Sequence, residues 1–142
     1  GTKNGRLFGE ALISFRPELT SDIRFYRKQC TQLFSKMRYI SAQFDAYLKD
    51  ALWKKNANQA NAMATLFSES LRNIPEVEIV QPVQVNSLFV KMPKKSIEEL
   101  REKYHFYIWD EAKNVVRLMC SFNTTEKHIV EFISDLKSSL VR

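Results

Sequence analysis

Glycine, proline, cysteine and histidine are all scarce in this chain. The three glycines, Gly1, Gly5 and Gly9, fall within the first nine residues. The two cysteines, Cys30 and Cys120, lack CxxC spacing and have no histidine placed for a metal site, so we expect buried free thiols and no metal. No apolar run is long enough to cross a bilayer and no signal sequence opens the chain, so we expect a cytoplasmic location and no membrane partner.

The formal net charge of +6 on its own favours nucleic acid or phosphate partners. The basic residues are nevertheless spread along the chain, and neither an RNP motif nor a zinc-finger pattern is present. We therefore expect no nucleic acid partner. With 142 residues, of which 44% are hydrophobic, the chain is large enough for one globular core.

The glycines surround a single lysine, Lys3, in the segment Gly1-Thr2-Lys3-Asn4-Gly5. Glycine accepts positive φ angles and close approach of other groups, so this segment predicts unusual backbone instead of helix or strand. A lysine in such a turn can attack an aldehyde and store it as a Schiff base, provided that its amine is neutral. A solvated turn lysine is the simpler interpretation of the pattern alone.

The first half of the chain predicts one strand followed by helices. Residues Leu7–Phe15 are dense in apolar and β-compatible side chains, which predicts a strand that ends before Arg16-Pro17. Apolar residues then recur at steps of three and four, which predicts helices over 18–36, 38–50 and 52–74. A domain boundary is expected near Pro75.

After Pro75 the pattern changes to short strands alternating with helices. Strands are predicted at Val77–Val80, Asn86–Met92, Tyr104–Trp109 and Val115–Phe122. Two helices are predicted to begin at capping boxes, which pair Ser96 with Glu99 and Asn123 with Glu126. The order strand, strand, helix, strand, strand, helix indicates an α+β fold with a small antiparallel sheet covered on one face by helices.

Arg117 is the most conspicuous charge among the predicted strands. It shares a strand face with Val115 and Met119, where a guanidinium is costly unless an anion or several acceptors satisfy it. The pattern alone favours an ion pair with Asp110 or Glu111 across the hairpin, and a bound anion is the alternative.

Several strings of residues, taken in order, carry a family resemblance. They are Thr2-Lys3-Asn4-Gly5, Gly9-Glu10-Ala11, Ser35-Lys36-Met37-Arg38, Ile40-Ser41-Ala42-Gln43-Phe44, Asn61-Ala62-Met63-Ala64, His105-Phe106-Tyr107 with Trp109-Asp110, and Val116-Arg117-Leu118-Met119-Cys120-Ser121-Phe122. Together they resemble the C-terminal part of a low-specificity L-threonine aldolase of the β-eliminating lyase group. These are pyridoxal 5'-phosphate (PLP) dependent enzymes of fold type I.

The resemblance implies an α/β parent fold of which this chain is an α+β piece. Residues 1–50 would be a remnant of the PLP-binding large domain, with a residual strand and the cofactor lysine. Residues 51–74 would form the long linking helix, and 75–142 the small C-terminal α+β domain.

The resemblance also implies three site residues. Lys3 would carry PLP as a Schiff base, and Arg117 would clamp the substrate α-carboxylate. Arg38 would reach the cofactor phosphate, although a solvated helix face explains it equally well. The reaction implied is cleavage of L-threonine or L-allo-threonine type β-hydroxy-α-amino acids to glycine and an aldehyde.

In this family, the residues that stack on the cofactor ring and most of the phosphate site lie upstream of the lysine. We therefore expect the chain to be a fragment that lacks the N-terminal half, holds no PLP by itself and is inactive alone, although its parent is expected to be a homo-oligomer. Another β-eliminating lyase of amino-acid metabolism is the alternative within the class. A non-catalytic, basic α+β module for binding or dimerisation is the alternative outside it.

Overall fold

The computed structural model describes residues 1–141, and the chain divides into two compact units. The first unit is Gly1–Trp53, and the second begins at Lys54. None of the helices in the described part of the chain is long and apolar enough to cross a membrane.

The regular part of the first unit is helical. Helix α1 is Ile23–Gln29 and helix α2 is Met37–Leu48, and single 3₁₀ turns lie at Pro17–Leu19 and Lys49–Ala51. The helix predicted over 38–50 is confirmed as α2. The helix predicted over 18–36 is much shorter than expected, because Thr31 adopts a left-handed φ of 58° just after α1, where a helix cannot continue.

The strand predicted over Leu7–Phe15 is wrong, since no residue of this segment lies in a strand. Gly9, in its middle, has a φ of +107°, and a Cβ at this position would lie 2.7 Å from Cγ2 of Ile40. The amides of Leu7 and Phe8 donate to a side chain of α2 instead of a neighbouring strand. The apolar pattern alone cannot make a strand where no partner strand accepts its backbone donors.

Four short strands and three helices make up the second unit. The strands are β1 Glu78–Ile79, β2 Ser87–Lys91, β3 Tyr107–Asp110 and β4 Val115–Met119, and they form one antiparallel sheet in the order β1-β2-β4-β3. Helix α3 spans Leu52–Arg72, α4 spans Lys94–Lys103 and α5 spans Glu126–Val141. The predicted long helix, the order of elements and the α+β class are confirmed.

One face of the sheet forms the core of the second unit. Its buried side chains from β2 and β4 are Leu88, Val90, Val116 and Leu118. They pack against apolar side chains of α3, α4 and α5, which include Phe67, Leu71, Ile97, Leu100, Phe132 and Leu136. The prediction of a small sheet covered on one face by helices is therefore confirmed, and this apolar burial is the main source of stability in the unit.

Both predicted capping boxes are wrong. Helix α4 begins at Lys94, ahead of the predicted cap Ser96, which is buried inside the helix. At α5 the cap is Thr125 instead of Asn123: the Thr125 amide donates to Nδ1 of His128 (3.3 Å), and the His128 amide donates to Oγ1 of Thr125 (3.4 Å). A histidine thus takes the place that a glutamate or glutamine holds in the usual sequence pattern.

The two cysteines differ in environment, and both are free thiols. Cys120 is buried as predicted, and burial raises the pKa of its thiol to about 11. The prediction of burial is wrong for Cys30, which is exposed where α1 ends.

Asp135 joins α4 to α5 at the edge of the core. Its Oδ2 accepts hydrogen bonds from Lys103 Nζ (2.6 Å) and from the Tyr104 hydroxyl (2.6 Å). The Lys103 hydrogen bond, followed by that of Tyr104, holds the pKa of Asp135 below its usual range, and the same contact raises the pKa of Lys103. The ionised carboxylate is therefore favoured by folding.

The Asp135 contacts predict a specific acid sensitivity. A lowered folded-state pKa contributes stability that is present above the unfolded value of 3.8 and is lost as the pH falls through the folded value. We expect Asp135→Asn to lower the free energy of unfolding at pH 7 and to approach the wild type below about pH 3.8. Urea unfolding between pH 7 and pH 3 measures this, with Glu131→Gln on the same helix as the control. A constant difference between wild type and Asp135→Asn across this range would contradict it.

Candidate functional site

Lys3 lies in a tight turn of the first unit. The Asn4 amide donates to the Gly1 carbonyl (3.0 Å), which closes the turn, and Gly5 follows with a φ of +102°. The Lys3 side chain is exposed, and within residues 1–141 its amine makes no hydrogen bond or ion pair. The predicted unusual backbone around this lysine is confirmed.

Asn4 holds this turn in place. Its Nδ2 donates to the Tyr47 hydroxyl (2.6 Å) on α2 and to the Trp53 carbonyl (2.9 Å) in the first turn of α3. One amide group therefore ties the residue next to Lys3 to α2 and to Trp53, the last residue of the first unit. The direction of the Lys3 side chain depends on these contacts because the turn has no strand or helix of its own.

Arg6 packs against the same turn, and no pattern in the sequence predicted it as a site residue. Its guanidinium lies 3.5 Å from the centre of the Phe44 ring and 5.3 Å from that of Tyr47, and it donates to the Gly9 carbonyl. A Cβ on Gly1 would meet the Arg6 guanidinium, so a larger residue there would require the Arg6 side chain to shift. The available signal was a cation that follows the Thr-Lys-Asn-Gly turn, with two aromatic residues three apart on the helix predicted over 38–50.

Arg38 is the second residue of α2 and is exposed. Its guanidinium lies 5.1 Å from the centre of the Tyr39 ring, and its Nη2 is 3.5 Å from the Tyr39 hydroxyl. Among the ion pairs of the described chain, none involves Arg38. The guanidinium is solvated and can accept an anionic partner.

Arg117 belongs to the second unit, where it occupies the middle of β4. It lies opposite Phe89 of β2 and Tyr107 of β3, and Trp109 packs edge-on against Phe89 with ring centres 5.0 Å apart. The side chain is half-buried, and Nη2 is 3.3 Å from the Ser87 hydroxyl. Its Nε is buried and has no hydrogen-bond partner within residues 1–141.

The ion pair considered for Arg117 across the hairpin is not formed. Asp110 Oδ2 lies 3.5 Å from the Lys113 ammonium instead, and Asp110 Oδ1 accepts the Lys113 amide (3.1 Å). The hairpin turn itself ends at Asn114, which has a left-handed φ of 54°. Arg117 therefore has one neutral hydroxyl as its partner, and a carboxylate ligand would satisfy the donor that is left.

Metal ligands are not gathered in the described part of the chain, where no group of three or more His, Cys, Asp and Glu side chains could hold an ion. Lys3 and Arg38 lie in the first unit, whereas Arg117 lies in the second.

Two curated proteins match this chain over nearly its whole length. The low specificity L-threonine aldolase of Pseudomonas sp. (strain NCIMB 10558) is 38% identical over 139 residues, which are 97% of this chain and 40% of the relative. The protein of the same description from Pseudomonas aeruginosa is 35% identical over 138 residues, with 96% and 40% covered. The chain thus spans about 40% of the length of these relatives. No family model matches it.

Solved structures give the same result. The threonine aldolase of Leishmania major matches with a TM-score of 0.79 and 28% identity over 87% of this chain and 36% of that one. A glycine decarboxylase (P-protein) matches with a TM-score of 0.58 at 19% identity over 66% of this chain and 23% of that one. The tryptophan decarboxylase of Catharanthus roseus has a TM-score of 0.56 at 20% identity, with 74% and 26% covered. These last two share the fold only.

The architecture, helices followed by a small antiparallel sheet, is that of part of a fold type I enzyme chain. The resemblance found in the sequence is confirmed: the chain is similar to about 40% of the length of the low specificity L-threonine aldolases and to part of the Leishmania major threonine aldolase.

The Asn4 contacts predict how the lysine turn responds to substitution. Asn4→Asp keeps the shape of the side chain but loses the donor to Tyr47 and Trp53, so we expect faster backbone motion from Thr2 to Gly5. Backbone ¹⁵N relaxation measures this as a fall in order parameter at Lys3, from roughly 0.85 toward 0.6.

Tyr47→Phe removes one of the two acceptors, and its effect should be smaller than that of Asn4→Asp. Tyr39→Phe, on the same helix but without contact to Asn4, is the matched control. Equal order parameters at Lys3 in the wild type and in Asn4→Asp would show that the amide does not hold the turn.

Proposed function

We propose that the chain carries the cofactor lysine and the carboxylate-binding arginine of a PLP-dependent carbon–carbon lyase. In this proposal, the complete protein cleaves β-hydroxy-α-amino acids of the L-threonine and L-allo-threonine type to glycine and an aldehyde. The observation that supports it best is the Lys3 amine, which is exposed, lacks an ion-pair partner within residues 1–141 and stands on a turn held by Asn4.

The residues present fit this cofactor. Lys3 would hold PLP covalently through Nζ, which is exposed on the turn and makes no ion pair within residues 1–141. Arg38 would pair with the phosphate, since its guanidinium is exposed and free of ion pairs within the described residues. When bound, PLP supplies an electron sink for the pair released as the Cα–Cβ bond of the amino acid breaks.

Arg117 would bind the substrate α-carboxylate through two parallel N–H···O bonds. Its half-buried place between Phe89 and Tyr107 reduces the competition from water and so strengthens these bonds. By holding the carboxylate, Arg117 would also fix the orientation of the amino acid, which is the contribution that a positioned side chain makes to such a reaction.

The same resemblance extends the proposal beyond the site. We assign residues 1–50 to a larger cofactor-binding domain, 51–74 to a linking helix and 75–142 to a small domain. A homo-oligomeric assembly and a cytoplasmic location belong to this proposal as well.

A chimera tests the proposed function. This chain replaces the matching 40% of the Pseudomonas sp. relative, and glycine released from L-threonine is measured with and without added PLP. We expect PLP-dependent release that Lys3→Ala abolishes and Lys54→Ala, at an exposed helix lysine, retains. We expect Arg117→Ala to raise KM for L-threonine about 10- to 100-fold with a smaller change in kcat, since a hydrogen bond to a charged group contributes roughly 1.5–3 kcal/mol.

Arg101→Ala, at an exposed arginine of α4, is the control for Arg117. Circular dichroism and comparison with the unmodified relative establish that each variant is folded. Glycine release that survives Lys3→Ala in a folded chimera, or an unchanged kcat/KM in Arg117→Ala, would contradict the assignment of these residues.

A further inference from the structure

Arg6 is a charged side chain buried without a charged partner. Only 7% of the residue is exposed, although a guanidinium stays ionised under all physiological conditions. One of its nitrogens donates to the Gly9 carbonyl, whereas Nε and Nη1 are shielded from solvent and have no hydrogen-bond partner within residues 1–141. Buried arginines are normally paired with an anion, so two unused donors on this one require an explanation.

Carboxylates of the described chain do not supply that anion. Glu10 is the acidic residue nearest to Arg6 along the chain, and its Oε1 accepts the Thr2 hydroxyl (2.8 Å). The ion pairs within residues 1–141 all involve other cations. The neighbouring groups on α2 are the aromatic rings of Phe44 and Tyr47. These rings attract the cation, but they offer no acceptor to the N–H groups that lie in the plane of the guanidinium.

Arg6 also lines a cavity. This cavity of about 530 Å³ lies within the first unit and has Tyr39, Gln43 and Tyr47 among its other lining residues. The Tyr47 hydroxyl accepts the Asn4 amide, so its own proton is available to a ligand. Cation, phenol and aromatic walls together suit a small oxyanion attached to an organic body, and the volume lies within the usual range of roughly 300–1,000 Å³ for ligand sites.

We propose that Arg6 and Tyr47 form a binding site for a small oxyanion, a phosphate or a carboxylate group, in the cavity beside the lysine turn. The anion accepts the free N–H groups of Arg6 and the Tyr47 hydroxyl. Because the two donors are shielded in the present structure, its entry requires the turn that contains Gly5 to shift. This site stands on the contacts of Arg6 and does not rest on the proposed aldolase function.

NMR of the 142-residue chain tests the site directly. The arginine Nε–H resonances are followed while sodium phosphate or sodium acetate replaces sodium chloride at constant ionic strength. We expect the Arg6 resonance, assigned by its disappearance in Arg6→Lys, to shift saturably in at least one arm. A response to phosphate alone identifies a phosphate group, and a response to acetate alone identifies a carboxylate.

Three variants separate this site from general attraction to a basic protein. Arg6→Lys keeps the charge but loses the planar set of donors, so we expect Kd to rise about tenfold or more. Tyr47→Phe should weaken binding to a smaller extent. Arg24→Lys is the matched control, because Arg24 also lies over a phenylalanine ring (4.9 Å) but is exposed.

Two outcomes would overturn the proposal. The first is the absence of a saturable shift of the Arg6 resonance in both arms, a measurement on the wild-type chain that needs no variant to fold. The second is an equal Kd in folded Arg6→Lys and wild type, measured in both proteins from the backbone amide shifts of the cavity residues Tyr39 and Gln43. Neither outcome bears on glycine release by the chimera, so failure of this site and failure of the proposed function are distinguishable.

Discussion

The side chains of helix α2 take the place of a neighbouring strand for the segment that carries Lys3. Oε1 of Gln43 accepts the amides of Leu7 (3.0 Å) and Phe8 (3.2 Å), while its Nε2 donates to the Tyr39 carbonyl of the same helix (3.2 Å). Backbone donors that pair with no strand must find other acceptors, and one amide side chain supplies two of them here. These bonds, together with those of Asn4 to Tyr47 and Trp53, fix the segment that carries the lysine turn.

The second unit is held together in a different way, by a complete antiparallel sheet with one apolar face. Helices cover that face fully. Polar side chains of the strands therefore lie on the other face, where Arg117 lies between aromatic side chains. A guanidinium here is held by its strand and by Ser87, and no carboxylate of the described chain neutralises it. The two units therefore offer different kinds of group: a free amine on a tethered turn, and a cation on a rigid sheet.

The spacing of apolar residues predicted the helices and strands whose hydrophobic face is buried within this chain. Helices α2 and α3 and the four-stranded sheet were predicted because their patterns are satisfied within this chain. The strand predicted over Leu7–Phe15 failed because a strand needs a partner. The cap predicted for α4 failed because the helix begins ahead of Ser96, and the cap predicted for α5 failed because Thr125 takes the role of Asn123. The motif strings made Lys3 and Arg117 candidates for site residues, which stays a prediction, whereas the burial of Arg6 depends on contacts with α2 that no local pattern encodes.

The most direct measurement is the position of the covalently bound cofactor. The chimera is incubated with PLP, reduced with borohydride and digested, and the modified lysine is located by mass spectrometry. We expect one major modified peptide, which contains Lys3 and is lost in Lys3→Ala. A major adduct on another lysine, with Lys3 unmodified in an active chimera, would contradict it.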